Sequence, residues 1–166
     1  GSFSGFSPKT LLGGGQERNN RGGTENIAGI IAMAKALELA YNNQASHAQE
    51  ILQLKVYFKE KIEKAIPGVT FNGLSGNLDK SLYTVLNVSF PPSENNQGML
   101  LFHLDLEGIS VSGGSACSSG ARLGSHVLNA LQTDPSRENV RFSFSRFNNK
   151  AEIDHVVKTL AGLYQA

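Results

Sequence analysis

Val140-Arg141-Phe142-Ser143-Phe144-Ser145-Arg146-Phe147 alternates apolar and polar side chains, with Val140, Phe142 and Phe144 on one side and Arg141, Ser143 and Ser145 on the other. A period of two marks a strand with one buried face, and a strand is predicted over Asn139–Ser145. Beyond it, Asn149–Leu163 reads as a helix, with Glu152 three residues after its expected cap. Before it, His126–Leu131 reads as a short helix. Further upstream, Val69–Phe71 and Thr84–Phe90 read as strands, the second bounded by Pro91-Pro92. Leu100, Leu101, Leu104 and Leu106 suggest a helix ending at Gly108, with a short strand over Ile109–Val111 after it. Helices interspersed with a few short strands predict an α+β or two-layer domain of about 100 residues.

Two long helices are expected ahead of this sheet. Ile27, Ile30, Ile31, Ala34, Leu37 and Tyr41 fall at helical spacing, and Asn42 and Asn43 are read as the close of that helix. Ser46 with Gln49 is a capping-box pattern opening a second helix, on which Ile51, Leu54, Phe58, Ile62 and Ala65 form one face before Pro67-Gly68 ends it. Residues 1–23, rich in Gly, Ser and Asn, are read as loop with at most one short strand. The expected division is therefore 1–23 as loop, 24–67 as connecting helices and 68–166 as a small terminal domain.

Composition sets outer bounds. A chain of 166 residues with 40% hydrophobic and 17% charged side chains has the make-up of a globular protein. Fifteen basic against fourteen acidic groups, a net charge of +1, favour neither a nucleic-acid groove nor a polybasic membrane patch. No apolar run approaches the roughly 20 residues of a membrane helix, and no secretory leader opens the chain, so a soluble protein is expected. The single cysteine excludes an intrachain disulfide and a multi-thiolate zinc site, and suits a reducing, cytoplasmic setting. Gly1-Ser2 is read as an added pair, with the natural sequence expected to begin upstream.

That cysteine, Cys117, stands in Ser110–Gly124, a stretch with four glycines and five serines. Small residues leave a thiol accessible, as a nucleophile requires, and Arg122 could favour its thiolate; an exposed loop that happens to hold a cysteine fits equally well. Gly13-Gly14-Gly15 to Gly22-Gly23-Thr24 feeds a helix N-terminus, where backbone N–H groups attract an anion; Thr24 could equally be the helix N-cap. Arg141, a planar guanidinium on a rigid strand, suits a carboxylate, or simply a solvated face. His47, His103 and His155 lie on predicted helices without metal spacing, and no metal site is expected.

Three motifs together resemble the cysteine desulfurases of the NifS/IscS type, within the class V aminotransferases. They are Ser115-Ala116-Cys117-Ser118-Ser119-Gly120 with Ser125-His126-Val127-Leu128, the glycine-rich run Gly13 to Thr24, and Arg141-Phe142-Ser143-Phe144-Ser145-Arg146-Phe147. Ser145 stands where many relatives have glycine. The resemblance covers the chain from about Gly13 onward and the later part of a family member. It implies the small C-terminal domain of a pyridoxal-phosphate-dependent, fold-type-I enzyme, with residues 1–23 left from the large cofactor domain. It further implies that Cys117 attacks the sulfur of L-cysteine held on pyridoxal 5'-phosphate, giving alanine and a Cys117 persulfide. The persulfide passes to an acceptor or iron–sulfur scaffold protein. Thr24 is implied to donate to the cofactor phosphate bound in the other subunit of a homodimer, and Arg141 to bind the substrate α-carboxylate. Arg18 and Arg21 share the glycine-rich motif and fit either solvated side chains or the mouth of the active site. The Schiff-base lysine, which follows a histidine in the family, has no counterpart in this chain; Lys9 lacks that context. The chain alone is therefore expected not to turn over cysteine. A docking module for a sulfur acceptor and a selenocysteine lyase are the alternative readings.

Overall fold

Leu86, Val88 and Phe90 alternate with Asn87 and Ser89, and this parity sets the architecture. The computed structural model describes residues 11–96, 98–113 and 125–165. The chain forms two compact units, one ending at Gln44 and one beginning at Ala45.

In the second unit, β3 (Thr70–Phe71), β4 (Val85–Phe90) and β5 (Glu138–Ser143) form an antiparallel sheet in the order β3-β4-β5. Leu86 pairs with Phe142 and Val88 with Val140, all buried, while Asn87 pairs with Arg141 and Ser89 with Asn139 on the opposite face. The strands expected over 69–71, 84–90 and 139–145 are thus present with slightly shorter bounds. The strand expected over 109–111 is not: the chain touches the free edge of β5 at a single residue pair, Ser112 with Arg141. Ile109 spends its N–H on Leu104 O (2.8 Å), closing the preceding helix, and so cannot enter a ladder.

Helices cover the apolar face. Helix α1 (Ile27–Ala65) contributes Ile51, Phe58 and Ile62; α2 (Leu100–Leu106) contributes Leu100 and Leu104; and α4 (Lys150–Gln165) contributes Ile153, Val157 and Leu160. Aromatic contacts join the layers, with Phe58 and Phe142 centroids 4.7 Å apart and Phe90 and Tyr164 stacked at 5.7 Å. Such pairs add to simple area burial. The Glu138 carboxylate accepts from Leu100 N (3.0 Å), so β5 caps the start of α2. A short helix, α3 (His126–Ala130), follows Ser125.

One expectation about α1 is corrected and one buried residue is added to it. It is one helix of 39 residues, not two meeting at Asn42-Asn43. No Gly or Pro interrupts 42–46, the propensity cost of asparagine is only about half a kcal/mol, and Asn43 Nδ2 donates back to Leu39 O (2.8 Å) within the helix. Its buried stripe also includes Lys55, which the apolar pattern passed over. Lys55 is 0% exposed; its Nζ donates to Ser81 Oγ (2.7 Å) and Leu82 O (2.9 Å), tying the helix to the chain after β3. Burial lowers its pKa below the ordinary lysine value.

In the first unit, β1 (Gly15–Gln16) and β2 (Arg21–Gly22) pair antiparallel, so the expected loop holds a small hairpin. Ile27, Ile30, Ile31, Leu37 and Tyr41 on the first half of α1 are exposed.

Two changes test this packing. Lys55→Ala leaves a void and two acceptors without their donor, and is expected to destabilise the chain by about 2–4 kcal/mol in urea unfolding. Lys55→Met, which keeps the stem, should cost less, and equal losses would show that the void contributes nothing. Tyr164 is pushed up to about 12 by burial, with the Glu138 charge adding to the effect, against an ordinary value of 10.0. The folded chain therefore keeps a proton that the unfolded chain releases. This contribution is whole below the unfolded value and is lost as pH rises from about 10 to about 12. Tyr164→Phe should flatten that alkaline decline, measured by urea midpoints from about pH 9 to about pH 11.

Candidate functional site

Arg141 is placed by strand parity. With Val140 and Phe142 turned into the core, its side chain stands on the exposed face of β5. Its backbone faces away from β4: Arg141 N donates to Ser112 O (2.7 Å), and Ser112 N donates to Arg141 O (3.2 Å). This pair fixes the chain that leads from α2 towards Cys117. The chain passes α2 closely here: a Cβ on Gly113 would stand 2.3 Å from Leu101 Cδ1, so a side chain there requires the partly exposed Leu101 side chain to move. On the far side, Ser125 is buried and caps α3, its Oγ accepting from Leu128 N (3.5 Å). Cys117 and Arg122 lie between these anchors, outside the described residues.

Two arginines near this sheet differ in their use. The Arg137 guanidinium is committed, with Nε donating to Ser89 Oγ (2.9 Å) and Nη2 to Gly68 O (2.7 Å) and Ser89 O (2.6 Å). The Arg141 guanidinium has no acceptor among the described residues, although five N–H donors are available on it. Asn87, directly opposite on β4, holds its amide in a side-chain chain with Asn72 and Asn139. Pattern reading missed these asparagines because strand register is not written in composition; the polar parity of Asn87 and Ser89 was the available signal.

Thr24 belongs to the first unit. The glycines around it serve the hairpin: a Cβ on Gly22 would lie 2.5 Å from Leu11 O, and one on Gly13 (φ 144°) 2.7 Å from Gly23 N. Glu17 and Arg18 turn the hairpin with positive φ, at 47° and 54°. Asn26 Oδ1 accepts from Gly29 N (3.0 Å) at the start of α1, so Asn26, not Thr24, has the N-cap task. Thr24 is exposed and its hydroxyl has no partner among the described residues, leaving it available to an anion. The Arg21 guanidinium pairs with the Glu25 carboxylate, whereas Arg18 is exposed.

A cavity of about 370 Å³ lies against the other face of β5, lined by Phe58, Ile109, Phe142, Phe144 and Glu152, and Arg141 is not among its walls. Among the described residues no group of three His, Cys, Asp or Glu side chains converges on a common point, and no helix is long and apolar enough to cross a membrane.

The aminotransferase class-V family model matches residues 10–156. Cysteine desulfurase IscS of Dictyoglomus turgidum is 39% identical over 152 residues, covering 90% of this chain and 37% of that protein. Cysteine desulfurase 2 of Trichormus variabilis is 36% identical over 156 residues, with coverages of 90% and 37%. The solved NifS-like protein from Rickettsia africae superposes with a TM-score of 0.71 at 25% identity, over 96% of this chain and 40% of that one. The chain thus spans about two fifths of the length of these relatives. A match across nearly all of its described sheet and helices, with relatives named as cysteine desulfurases, places this chain in the class-V aminotransferase family.

Proposed function

We propose that this chain is the sulfur-accepting, substrate-gripping part of a pyridoxal-phosphate-dependent cysteine desulfurase. Cys117 takes sulfur from L-cysteine, Arg141 holds the substrate α-carboxylate, and Thr24 donates to the phosphate of cofactor bound in the partner subunit of a homodimer. The observation that carries this reading is the Ser112–Arg141 backbone pair, which joins the start of the cysteine segment to the strand bearing Arg141. Cys117 follows Ser112 by five residues.

The residues present fit the group. The Thr24 hydroxyl is exposed and unspent, as a phosphate donor requires, and Arg141 presents a fork that matches a carboxylate bidentately. Pyridoxal phosphate, when bound, supplies the electron sink that makes the Cβ–Sγ bond of L-cysteine breakable. The thiolate of Cys117 attacks that sulfur, an S–S bond forms as the C–S bond breaks, and a proton reaches carbon to give alanine. L-cysteine and one thiol become alanine and one persulfide, so atoms and electrons balance without a further redox partner. Arg141 contributes to orientation, because a carboxylate gripped in a plane restricts where Cα, and with it the sulfur, can stand. The persulfide then passes to an acceptor serving iron–sulfur assembly or thiolation.

Lys55 is committed to Ser81 and Leu82 inside the core, and Lys9 lies outside the described residues. The Schiff-base lysine is assigned to the remainder of a longer protein, and the 166-residue chain alone is expected to be inactive. The assigned setting is cytoplasmic.

The test compares the longer form, loaded with pyridoxal phosphate, with this chain by alanine and sulfide release from L-cysteine. The longer form should be active and the chain silent, and Cys117→Ala in the longer form should abolish release. Arg141→Ala should raise KM for L-cysteine about a hundredfold, and Arg141→Lys about tenfold, since lysine keeps the charge but not the paired bonds. Undiminished turnover in Cys117→Ala, or no release from the longer form, would overturn the desulfurase reading. Acceptor binding that needs no cofactor would then favour a docking module, and turnover of selenocysteine in place of cysteine would favour a selenocysteine lyase.

A further inference from the structure

Beside Arg141 stands a second donor that the assigned chemistry does not yet use. Asn87 is its partner across the β4–β5 pair. Both backbone groups of Arg141 go to Ser112 (2.7 and 3.2 Å), away from β4. Those of Asn87 turn away from β5: its N–H donates to Ser75 Oγ (3.2 Å) and its carbonyl accepts from Asn72 N (3.0 Å) and Ser75 Oγ (3.0 Å). With no backbone bond between them, the two form a non-hydrogen-bonded antiparallel pair. That is the closer of the two pair types, with Cα atoms about 4.5 Å apart and side chains adjacent on one face.

The orientation of the Asn87 amide follows from its neighbours. The carbonyl of Arg137 can only accept, so the Asn139 group that meets it (3.3 Å) is Nδ2. Asn139 Oδ1 is thereby turned to Asn72 Nδ2 (2.6 Å), and the same Nδ2 donates to Asn87 Oδ1 (2.8 Å). With Oδ1 occupied, Asn87 is left with Nδ2, which has no acceptor among the described residues. The Arg141 guanidinium is in the same condition. Two donors on adjacent side chains of one face, neither with an acceptor among the described residues and one of them charged, suit a shared anionic acceptor. A carboxylate has room for both: a bidentate arginine occupies two of its roughly four lone-pair directions and leaves others open.

We propose that Asn87 is a substrate-binding residue, its Nδ2 donating to the same α-carboxylate that Arg141 grips, with Asn72 and Asn139 as the positioning residues that aim it. The inference rests on the assignment of Arg141 to that carboxylate.

Asn87→Asp is the informative change. It keeps the size and the oxygen that accepts from Asn72 and replaces the free donor by an anion that repels the substrate. Because that anion can also pair with the adjacent Arg141 guanidinium, Asn87→Leu, which removes the donor without adding charge, is measured beside it. Asn87→Leu should raise KM about tenfold, and an unchanged KM in Asn87→Leu would overturn the role of Asn87. In the longer, cofactor-loaded enzyme Asn87→Asp should raise KM for L-cysteine about ten- to a hundredfold with kcat within about twofold. Cysteamine, which lacks the carboxylate, should inhibit wild type and variant alike. In the 166-residue chain itself, the Asn87 side-chain amide signals should shift when acetate is titrated in NMR, and should not shift in Arg141→Ala. An unchanged KM in Asn87→Asp beside a raised KM in Arg141→Ala would overturn the role of Asn87 and leave that of Arg141 standing. If neither variant moved KM, both roles would fall together. Equal weakening of cysteine and cysteamine would show a general disturbance of the site and would also overturn the proposal.

Discussion

The register of β4 against β5 is the constraint on which the second unit depends. Six consecutive pairs, Val85 with Ser143 through Phe90 with Glu138, fix which side chains meet the helices. Because side chains alternate with period two, a slip of one residue would turn Leu86, Val88 and Phe90 outward and bring Asn87 and Ser89 under Phe58. That alternative buries amides against aromatic rings with no donors or acceptors to meet them, a cost of a few kcal/mol for each group. The core and the placement of Arg141 are thus one choice. Phe58, Ile62 and Leu160 press on one face of the sheet, and the arginine is presented on the other.

The polar face is held by bonds that consume most of its donors. Arg137 spans from Ser89 to Gly68 and ties the end of β4 to the turn after α1. Asn72, Asn87 and Asn139 interlock, and Ser75 holds both backbone groups of Asn87. These groups are satisfied within the protein, as half-buried polar groups generally are. Against that background Arg141 and the Asn87 amide nitrogen, without an acceptor among the described residues, stand out physically. A charged fork exposed without a partner can be mere solvation, but a fixed amide turned to the same side makes a defined pair of donors on a rigid support. Rigidity matters because orientation fixed before binding need not be paid for when substrate arrives.

Much of this was legible from residue patterns. The alternation in 140–147 and 84–90 found the two long strands and their buried faces, and the spacing of Leu100, Leu104 and the 149–163 run found their helices, because local period and burial agree there. Agreement failed where one residue type served an unexpected partner. Asn42 and Asn43 look like a helix end, yet without Gly or Pro the helical hydrogen bonds continue through them. Lys55 falls outside the apolar spacing that marks its helix, yet Ser81 and Leu82 accept from its buried ammonium. Thr24 reads as an N-cap, yet Asn26, two residues on, bonds Gly29 N. Asn87 was invisible as a site residue because its meaning depends on Arg141, distant in sequence and adjacent only through register. Arg141 and Thr24 were picked out by resemblance as well as by chemistry, and Cys117 lies outside the described residues.

The anchors around the cysteine segment connect this packing to the proposed chemistry. Sulfur transfer sets two opposed demands: the substrate carboxylate must be held still, while the sulfur taken from it must later be offered to a different molecule. A grip on a strand and an acceptor on a separate segment divide those demands between parts of one chain. Arg141 is on β5, locked by its ladder to β4 and by its aromatic neighbour Phe142 in the core. The segment bearing Cys117 is tied to that same residue at Ser112, passes α2 closely at Gly113, and is secured again at the buried Ser125. Its origin is therefore set by the register that places the arginine. A change that shifted β5 would move Arg141 and the root of the Cys117 segment together, preserving their relation. In the proposed reaction the strand register thus becomes a constraint on the distance between nucleophile and substrate, which must fall to roughly 3–3.5 Å for attack.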